Sequence, residues 1–423
     1  MESEPVSVLR LHLAGRPFGH LAGYRGGRNV LVFDESWRGD PDRETLTLTT
    51  SARFPRTEAV LAKPWMRQQR LHPWLSNLLP EGALRDWLAQ SLKVHPDNEF
   101  PLLAQLGGDL PGAVIAEPML PEDVPAHVLD YRTSIVPIVN ASRTGAGFSL
   151  AGVQMKFSVR EREGRFHFGH ANELGDWIVK TPSTRHRGVT ANEYTTMRLA
   201  QAAGIEIPEI RLIPLSQLDA MPDIALPDAS LFDEQQVYAI KRYDRADGRR
   251  IHVEDMAQVL FCYPQQKYEH ANYEQLGRIL RGYAKDGLRA VQAFACRLLV
   301  NILLGNGDAH LKNWSLIYRD GRAPELSPAY DILFTQAWLR DEKEIALNLN
   351  GSKRWYELGW QDFQGWSQAV GTPWPAVRTA LEATLEQARD CWPRLLAESP
   401  MLDTHQRFLR EHWARLSLEW RIE

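Results

Sequence analysis

The change of hydrophobic period along the chain constrains its fold more than any other feature of the sequence. Strand-like stretches dominate the first half. Apolar and polar residues alternate over residues 9–13 and a turn sequence follows at residues 14–16, which predicts a hairpin with one buried face. Beyond Glu254 the period becomes helical, and the apolar series over residues 288–302 predicts a helix with a broad buried face. A strand-rich half followed by a helical half predicts an α+β protein.

The length of the chain, 423 residues, is too great for one ordinary hydrophobic core, so we expect several packed units. Residues 1–115 have the pattern of a small α+β subdomain. Residues 116–147 are rich in proline, acidic and small residues and are predicted to be a linker. Residues 148–245 are predicted to form a β-rich N-lobe, and residues 246–423 a mostly helical C-lobe. The expected architecture is two-lobed, with an added N-terminal subdomain.

The overall charge excludes a general electrostatic attraction to nucleic acid or to an anionic membrane, because the formal net charge is −4. Four arginines give the predicted C-terminal helix a basic character, but acidic residues interrupt it. A solvated helix face is the stronger interpretation, and direct DNA contact is the alternative. These arginines are Arg407, Arg410, Arg415 and Arg421.

Cysteine usage and apolar content indicate a cytoplasmic protein. The three cysteines, Cys262, Cys296 and Cys391, are far apart, which argues for a reducing compartment and against a disulfide framework or a structural zinc site. The acidic, alternating N-terminus does not have the pattern of a signal peptide. The longest strongly apolar stretch, around residues 296–304, is too short to span a bilayer, so no membrane association is expected.

The most specific segment for function is GNGDAHLKN, which follows the predicted apolar helix. It contains Asp-x-His-x-x-Asn at Asp308, His310 and Asn313, the pattern of catalytic loops in protein-kinase-like phosphotransferases. Phosphoryl transfer requires a positioned acceptor oxygen and oxygen-ligated magnesium. Asp308 is the candidate base and Asn313 a candidate metal ligand, while His310 would orient the loop or contact a phosphate. A turn whose Asp and Asn only cap backbone groups is the alternative.

A second carboxylate, Asp331, ends the downstream run LSPAYD and suits a magnesium-chelating aspartate. Upstream, Lys180 ends the strand-like run DWIVK, where a lysine can neutralise nucleotide phosphates. Glu193 is its candidate ion-pair partner, on a helix that we expect Thr190 to cap. A solvated lysine and a glutamate that interacts with the helix dipole are the alternatives. The order of these residues along the chain favours the functional interpretation.

A glycine-containing segment at residues 144–156, TGAGFSLAGVQMK, precedes a predicted hairpin. Its glycines permit close approach of the backbone to phosphate. The segment matches neither G-x-G-x-x-G nor a Walker A sequence, so a flexible turn is the alternative.

Taken together, these segments resemble the HipA-type serine/threonine kinases, the toxin halves of bacterial toxin–antitoxin pairs. The matching segments cover most of the chain. They are NLLPEG (77–82), SLAGVQMK (149–156), IVK (178–180), NEY (192–194), KRYDR (241–245), EDM (254–256), GDAHLKN (307–313) and AYDI (329–332). The resemblance implies a two-lobed protein-kinase-like fold, with ATP and Mg²⁺ as cofactors. The N-terminal subdomain, which some relatives encode separately, is fused here.

The resemblance also implies a role for each matching residue. Asp308, His310 and Lys312 would be catalytic, with Asp308 taking the proton of a serine hydroxyl, and Asn313 and Asp331 would hold magnesium. The segment Ala151–Lys156 would cover the phosphates, and Lys241–Tyr243 would form the adenine-side hinge. The full set of predicted ATP-binding residues is Ala151, Gly152, Val153, Gln154, Met155, Lys156, Lys180, Lys241, Arg242 and Tyr243.

Ser149 matches a serine whose autophosphorylation switches off members of the family. A doubly charged group beside the nucleotide phosphates would repel them or displace the loop. An ordinary small residue at a strand end is the alternative. At the hinge, Lys241 departs from the acidic residue that relatives can carry, which leaves the adenine contact open.

The expected function is therefore a protein kinase toxin that causes growth arrest and persistence. The family's substrates include aminoacyl-tRNA synthetases. Its usual partner is a helix-turn-helix antitoxin of the HipB type, through which DNA would be contacted only indirectly. A small-molecule kinase is one alternative, because aminoglycoside- and choline-kinase-like folds share Asp-x-His-x-x-Asn. A non-catalytic co-repressor that retains the kinase fold is the other.

Overall fold

The computed structural model describes most of the chain, and several predicted site residues lie outside the described part. Ser149 and the segment Ala151–Met155 are among these. The described residues are 4–129, 133–136, 138, 156–168, 174–183, 185–218 and 235–423.

The N-terminal unit is built on a six-stranded sheet with the strand order β4-β3-β2-β1-β5, in which β6 pairs in parallel with β1. The alternation at the start of the chain forms the predicted hairpin, and its turn at Ala14 and Gly15 has positive φ at both residues, which fits tight hairpins. Strand β6 lies in the segment predicted to be a linker. The strands are β1 (Glu4–Leu13), β2 (Arg16–Tyr24), β3 (Arg28–Phe33), β4 (Trp65–Gln68), β5 (Val114–Pro118) and β6 (Thr133–Ile135).

In the described residues of this unit there are five α-helices, and the sheet separates two apolar clusters. The larger cluster includes Leu9 and Leu21, and the smaller one on the opposite face includes Val8 and Ala22. Neighbouring residues therefore serve opposite faces, as strand geometry requires. The helices are α1 (Glu35–Arg38), α2 (Thr57–Leu61), α3 (Pro73–Ser76), α4 (Gly82–Ser91) and α5 (Glu99–Leu106).

The N-lobe contains a five-stranded sheet with the order β10-β11-β9-β7-β8, on which helix α6 packs. The predicted hairpin is present, with a turn at Glu163 and Gly164. The predicted cap of α6 was wrong. Gly188, with φ of 72°, precedes the helix, and Thr190 lies inside it because glycine adopts this backbone more readily. The elements are β7 (Lys156–Arg162), β8 (Arg165–Phe168), β9 (Trp177–Lys180), α6 (Val189–Ala202), β10 (Ile210–Pro214) and β11 (Gln236–Lys241).

The C-lobe is mostly helical, as the sequence period predicts. Its helices are α7 (Met256–Val259), α8 (Tyr273–Tyr283), α9 (Gly287–Leu303), α10 (Trp360–Val370), α11 (Trp374–Ala397) and α12 (Asp403–Arg415). Its short strands are β12 (Arg245–Ala246), β13 (Arg249–Arg250), β14 (His252–Asp255), β15 (Ser315–Tyr318), β16 (Glu325–Leu326), β17 (Glu344–Leu349) and β18 (Ser352–Arg354).

Helix α9 is the predicted apolar helix, and it joins the two lobes. Leu298 of α9 belongs to the same buried cluster as Met197 of α6 and Tyr238 of β11. The lobes therefore share one apolar core, at whose edge the polar loop after α9 emerges. Across the described ranges, no helix is long and apolar enough to cross a membrane.

Candidate active site

The loop after α9 is held by Asn306, a residue that the sequence reasoning missed. Asn306 is almost fully buried, and its amide nitrogen donates to Oδ1 of Asn301 at 2.7 Å. Its amide oxygen accepts the backbone N–H of Asp308 at 3.1 Å. The same amide nitrogen lies 3.4 Å from the carbonyl oxygen of Asp331. Asn306 therefore fixes the backbone of the loop relative to the segment that carries Asp331. A polar residue between two glycines directly after an apolar helix was the available signal.

Asp308 is exposed, while its surroundings restrain it. Its Oδ1 accepts a hydrogen bond from the hydroxyl of Tyr268. The side chain of Asn313 donates to its carbonyl oxygen at 2.8 Å. Burial and the charge of Asp308 raise the pKa of Tyr268, which keeps the phenol protonated as a donor. The carboxylate is therefore positioned and also accessible to a substrate.

His310 is buried behind this carboxylate. Its ring meets the ring of Tyr268 edge-on, with the centroids 5.0 Å apart. Its backbone N–H donates to the carbonyl oxygen of Asp308 at 2.7 Å. Burial lowers the pKa of His310, so the ring is neutral at pH 7. These contacts support the loop-orienting role among the two predicted for His310.

Lys180 lies between two carboxylates that come from distant parts of the chain. Its Nζ contacts Oε1 of Glu193, on α6, and Oδ1 of Asp331, in a segment that follows the loop after α9. Lys156, on β7, approaches the same aspartate, with Nζ 3.0 Å from Oδ2. Lys180 and Glu193 are buried, and Lys156 is half exposed. Two N-lobe lysines thus converge on one C-lobe carboxylate.

At the Lys180–Asp331 pair, the attraction between opposite charges shifts the pKa of each group more than burial does. Burial raises the pKa of Asp331, but Lys156 and Lys180 bring it well below its ordinary value. Burial lowers the pKa of Lys180, but Asp331 and Glu193 raise it above its ordinary value. For Glu193 burial prevails and raises the pKa, since Lys180 offsets it only in part. Asp331 is therefore the carboxylate that holds its charge.

Asp331 and Asn313 provide the oxygen ligands that Mg²⁺ prefers. Asp331 has φ of 54°, in the left-handed region that few non-glycine residues adopt, and such backbone clusters at functional sites. The amide nitrogen of Asn313 is used for Asp308, so its amide oxygen is the atom left for a ligand. This donor set fits a magnesium ion that takes its other ligands from phosphates and water.

The predicted hinge residues have three different environments. Lys241 is half exposed, with Nζ 3.6 Å from Oε2 of Glu209. Arg242 is buried and pairs with Asp244 at 2.8 Å and with Asp109 of the N-terminal unit at 2.9 Å. The ring of Tyr243 stacks on the ring of Tyr330, and burial raises its pKa to about 12. These contacts hold the segment between units, and its role toward adenine stays a prediction.

Comparison with known families decides which family this site belongs to. The family model described as "HipA-like C-terminal domain" matches residues 148–392, and the one described as "HipA N-terminal domain" matches residues 9–117. The chain belongs to the HipA family.

Curated relatives and a solved structure agree with this HipA assignment. The chain is 36% identical to the candidate kinase Y4dM of Sinorhizobium fredii, over 95% of this chain and 96% of that protein. It is 25% identical to the serine/threonine-protein kinase toxin HipA of Shewanella oneidensis, over 70% of each. The solved complex of Shewanella oneidensis HipA with HipB and operator DNA superposes with a TM-score of 0.71, at 21% identity and 96% coverage of both chains. The fold is therefore the two-lobed α+β fold of HipA.

Lys312 connects two segments that marked the HipA resemblance. Its Nζ donates to the carbonyl oxygen of Asn77 at 3.1 Å and to the Oδ1 of Asn77 at 2.9 Å. It also forms ion pairs with Asp255 at 3.2 Å and with Glu81 at 3.5 Å. The segment NLLPEG of the N-terminal unit thus meets the loop after α9. These contacts would position the loop, and a catalytic role for Lys312 stays a prediction.

Proposed function

We propose that this HipA-family chain is an ATP- and magnesium-dependent serine/threonine protein kinase that acts as the toxin of a toxin–antitoxin pair. The observation that carries the proposal is the contact of Lys180 with both Glu193 and Asp331. Catalysis of phosphoryl transfer consists mostly of positioning and counter-charge. A charged lysine–aspartate pair beside a loop with an accessible carboxylate provides both.

Each residue of the site would have a distinct task. Asp308 would accept the proton of a serine or threonine hydroxyl as the oxygen attacks the terminal phosphate. Lys180 and Lys156 would bind the phosphates, because their positive charges converge beside Asp331, the proposed metal ligand. Asn313 and Asp331 would hold Mg²⁺, which supplies charge neutralisation of the phosphates when bound.

The antitoxin is inferred from a relative, and the substrate is inferred from the family resemblance. The Shewanella protein is a serine/threonine-protein kinase toxin, and its solved complex contains HipB and operator DNA. We extend this arrangement to the present chain, with a HipB-like helix-turn-helix antitoxin and with DNA contacted only through it. The substrate would be a translation component such as an aminoacyl-tRNA synthetase, whose modification arrests growth and produces persistence. Phosphorylation of Ser149 would switch the kinase off.

Labelled ATP and a cell lysate test the proposal. The parent chain should transfer label to protein, and Asp308→Ala should lower the transfer about 10²- to 10⁴-fold, the range for loss of a general base. Because Asp308 is exposed, the variant should keep its thermal stability and its binding to a HipB-like antitoxin. Lys285→Met, at an exposed lysine outside the predicted site, is the control for altered surface charge.

Each other outcome selects an alternative. Label that enters only small metabolites would establish a small-molecule kinase. Antitoxin binding without any transfer would establish a co-repressor. An Asp308→Ala variant as active as the parent would remove the proposed base. Phosphopeptide mapping of the parent and of Ser149→Ala tests the regulatory site separately.

A further inference from the structure

Two histidines and an aspartate meet on the N-terminal sheet, outside the candidate active site. They are His20 on β2, Asp34 directly after β3, and His127 in the short 3₁₀ turn at residues 126–128. Their ligand atoms all lie within 4.8 Å of one another. Among the residues that the structure describes, no other three histidine, cysteine, aspartate or glutamate side chains meet this condition.

Strand register brings these side chains to the same face. His20 pairs with Val32, and Asp34 follows Val32 by two residues, so His20 and Asp34 project from one side of the sheet. This side also carries the smaller apolar cluster, which includes Val128. Burial of Val128 anchors the 3₁₀ turn on the sheet. The neighbouring His127 is thereby brought to the polar end of the face.

The environment of His20 is unusual for a histidine without a ligand. Its exposed fraction is 2%, and neither ring nitrogen makes a hydrogen bond of good geometry. Its Nδ1 lies 2.9 Å from Oδ1 of Asp34, although the direction does not suit a hydrogen bond. Buried polar groups nearly always have a partner, and one without it often marks an ion or water. His127 completes the group from the exposed side.

We propose that His20, Asp34 and His127 bind one divalent transition-metal ion, with Zn²⁺ as the best match. Imidazole nitrogens and a carboxylate oxygen are established ligands of Zn²⁺, at about 2.0–2.2 Å. Adjacent ligand atoms of such a tetrahedron are roughly 3.4 Å apart, so separations of up to 4.8 Å would shorten by at most about 1.4 Å on binding. Cysteine spacing had argued against a zinc site, but this set contains no cysteine. A water molecule would take the fourth position.

The ion would fasten the segment after β5 to the sheet. The group draws its ligands from β2, the end of β3 and the 3₁₀ turn, which are far apart in sequence. Burial raises the pKa of Asp34, but His20 and Arg10 bring it below its ordinary value, so the carboxylate is charged. The alternative is a metal-free histidine–aspartate pair, which would bind no stoichiometric ion.

Zinc binding to the full chain after treatment with a chelator tests the site. Calorimetric titration with Zn²⁺ should give one equivalent per chain at this site, and Co²⁺ should give the strong visible absorption of tetrahedral coordination. Both titrations are made with Mg²⁺ in excess. Mg²⁺ prefers oxygen ligands, so it should not displace Zn²⁺ or Co²⁺ from a site with two histidines. Bound Zn²⁺ should also raise the melting temperature, since it binds only the folded state.

Matched variants make the result specific. His127→Ala removes an exposed ligand, and Asp34→Asn removes the charge at nearly constant shape. Each should weaken Zn²⁺ binding by more than the roughly 10- to 100-fold typical of losing a supporting partner. His95→Ala, at an exposed histidine of the same unit outside the group, should leave it unchanged. Absence of stoichiometric binding, or equal binding by all four chains, would overturn the proposal.

Discussion

Carboxylates in two regions of the molecule are stabilised in different ways, by a lysine charge in one region and by neutral hydrogen-bond donors in the other. At the candidate active site, Asp331 and Glu193 share the lysine Lys180. Between the N-terminal unit and the C-lobe, Glu254 instead accepts hydrogen bonds from three neutral donors. These are the backbone N–H of Leu48 at 2.9 Å, Nε1 of Trp74 at 3.1 Å and the hydroxyl of Tyr318 at 2.5 Å.

The difference separates a site suited to phosphate from a contact that joins two units. Lysines hold the pKa of Asp331 below its ordinary value, and the same lysines can contact phosphates. Neutral donors do not overcome burial at Glu254, whose pKa is raised to about 7. Asp331 therefore contributes stability above its unfolded pKa, and this is lost as pH falls. The pH dependence of Glu254 is the reverse. Its protonated form stabilises the fold at low pH, and this stabilisation is lost as pH rises from about 4.5 to 7.

The largest expected effect comes from Lys180→Met. This change leaves the buried Glu193 and the partly exposed Asp331 without their shared cation, so we expect a loss of about 3–5 kcal/mol in the free energy of unfolding, mainly from Glu193. Phosphoryl transfer should fall about 10²- to 10³-fold, as for other preorganised charge-stabilising groups. Urea denaturation and labelled transfer measure the two effects. Unchanged stability would show that the carboxylates do not depend on this lysine.

The second prediction concerns pH. Between pH 4.5 and 7.5, the parent chain should lose about 3 kcal/mol of stability relative to Glu254→Gln. The reason is that the folded parent keeps the carboxyl proton of Glu254 up to about pH 7, while the unfolded chain loses it near pH 4.5 and glutamine does not titrate. The difference between the two chains is the relevant quantity. Among the described residues, five buried histidines with lowered pKa add stability as pH rises over the same range and cancel in that difference. They are His72, His252, His310, His405 and His412. Urea unfolding midpoints of both chains at several pH values provide the measurement. Parallel plots of stability against pH for the two chains would contradict the prediction.

Tyr318→Phe tests the neutral-donor site further. It removes one donor to Glu254 and should cost about 1–3 kcal/mol, with the larger loss at pH 8, where the acceptor is charged. Tyr273→Phe is the control, because that hydroxyl donates to the neutral carbonyl of Ala309 at 3.1 Å. Its cost should be about 1 kcal/mol and independent of pH. Equal pH dependence of both variants would argue against ionisation of Glu254.

The smallest expected effect on stability is that of Lys156→Met. This outer cation of Asp331 is 51% exposed, so solvent screens the pair and the loss should be at most about 1 kcal/mol. Lys241→Met is a matched control, because Lys241 is also 51% exposed and also pairs with one carboxylate. Thermal melting of both variants checks this. A loss as large as that of Lys180→Met would place the main counter-charge of Asp331 on Lys156.

The order of elements and the loop after α9 could be predicted because both depend on local pattern. The alternation over residues 9–13 gave β1, and the apolar series over residues 288–302 gave α9. The prediction from sequence failed where backbone conformation determined the residue at which a helix begins. Thr190 is an acceptable cap by residue type, but the positive φ of Gly188 starts α6 two residues earlier. The neighbours of Asp308 were also missed, since Tyr268 lies in an unremarkable stretch and reaches Asp308 only in the folded chain.

The family, the strand and helix order, and the residue types that phosphoryl transfer needs follow from the amino-acid sequence, since these are properties of short segments and their order. Which of these residues meet depends on the packing of the folded chain. This packing brought Lys180 to Asp331 across 151 positions and turned Lys312 toward Asn77 of the N-terminal unit. It also placed His20 beside Asp34. The physical reason is that hydrophobic period reports which face is buried, while the partner of a buried charge depends on how distant elements pack.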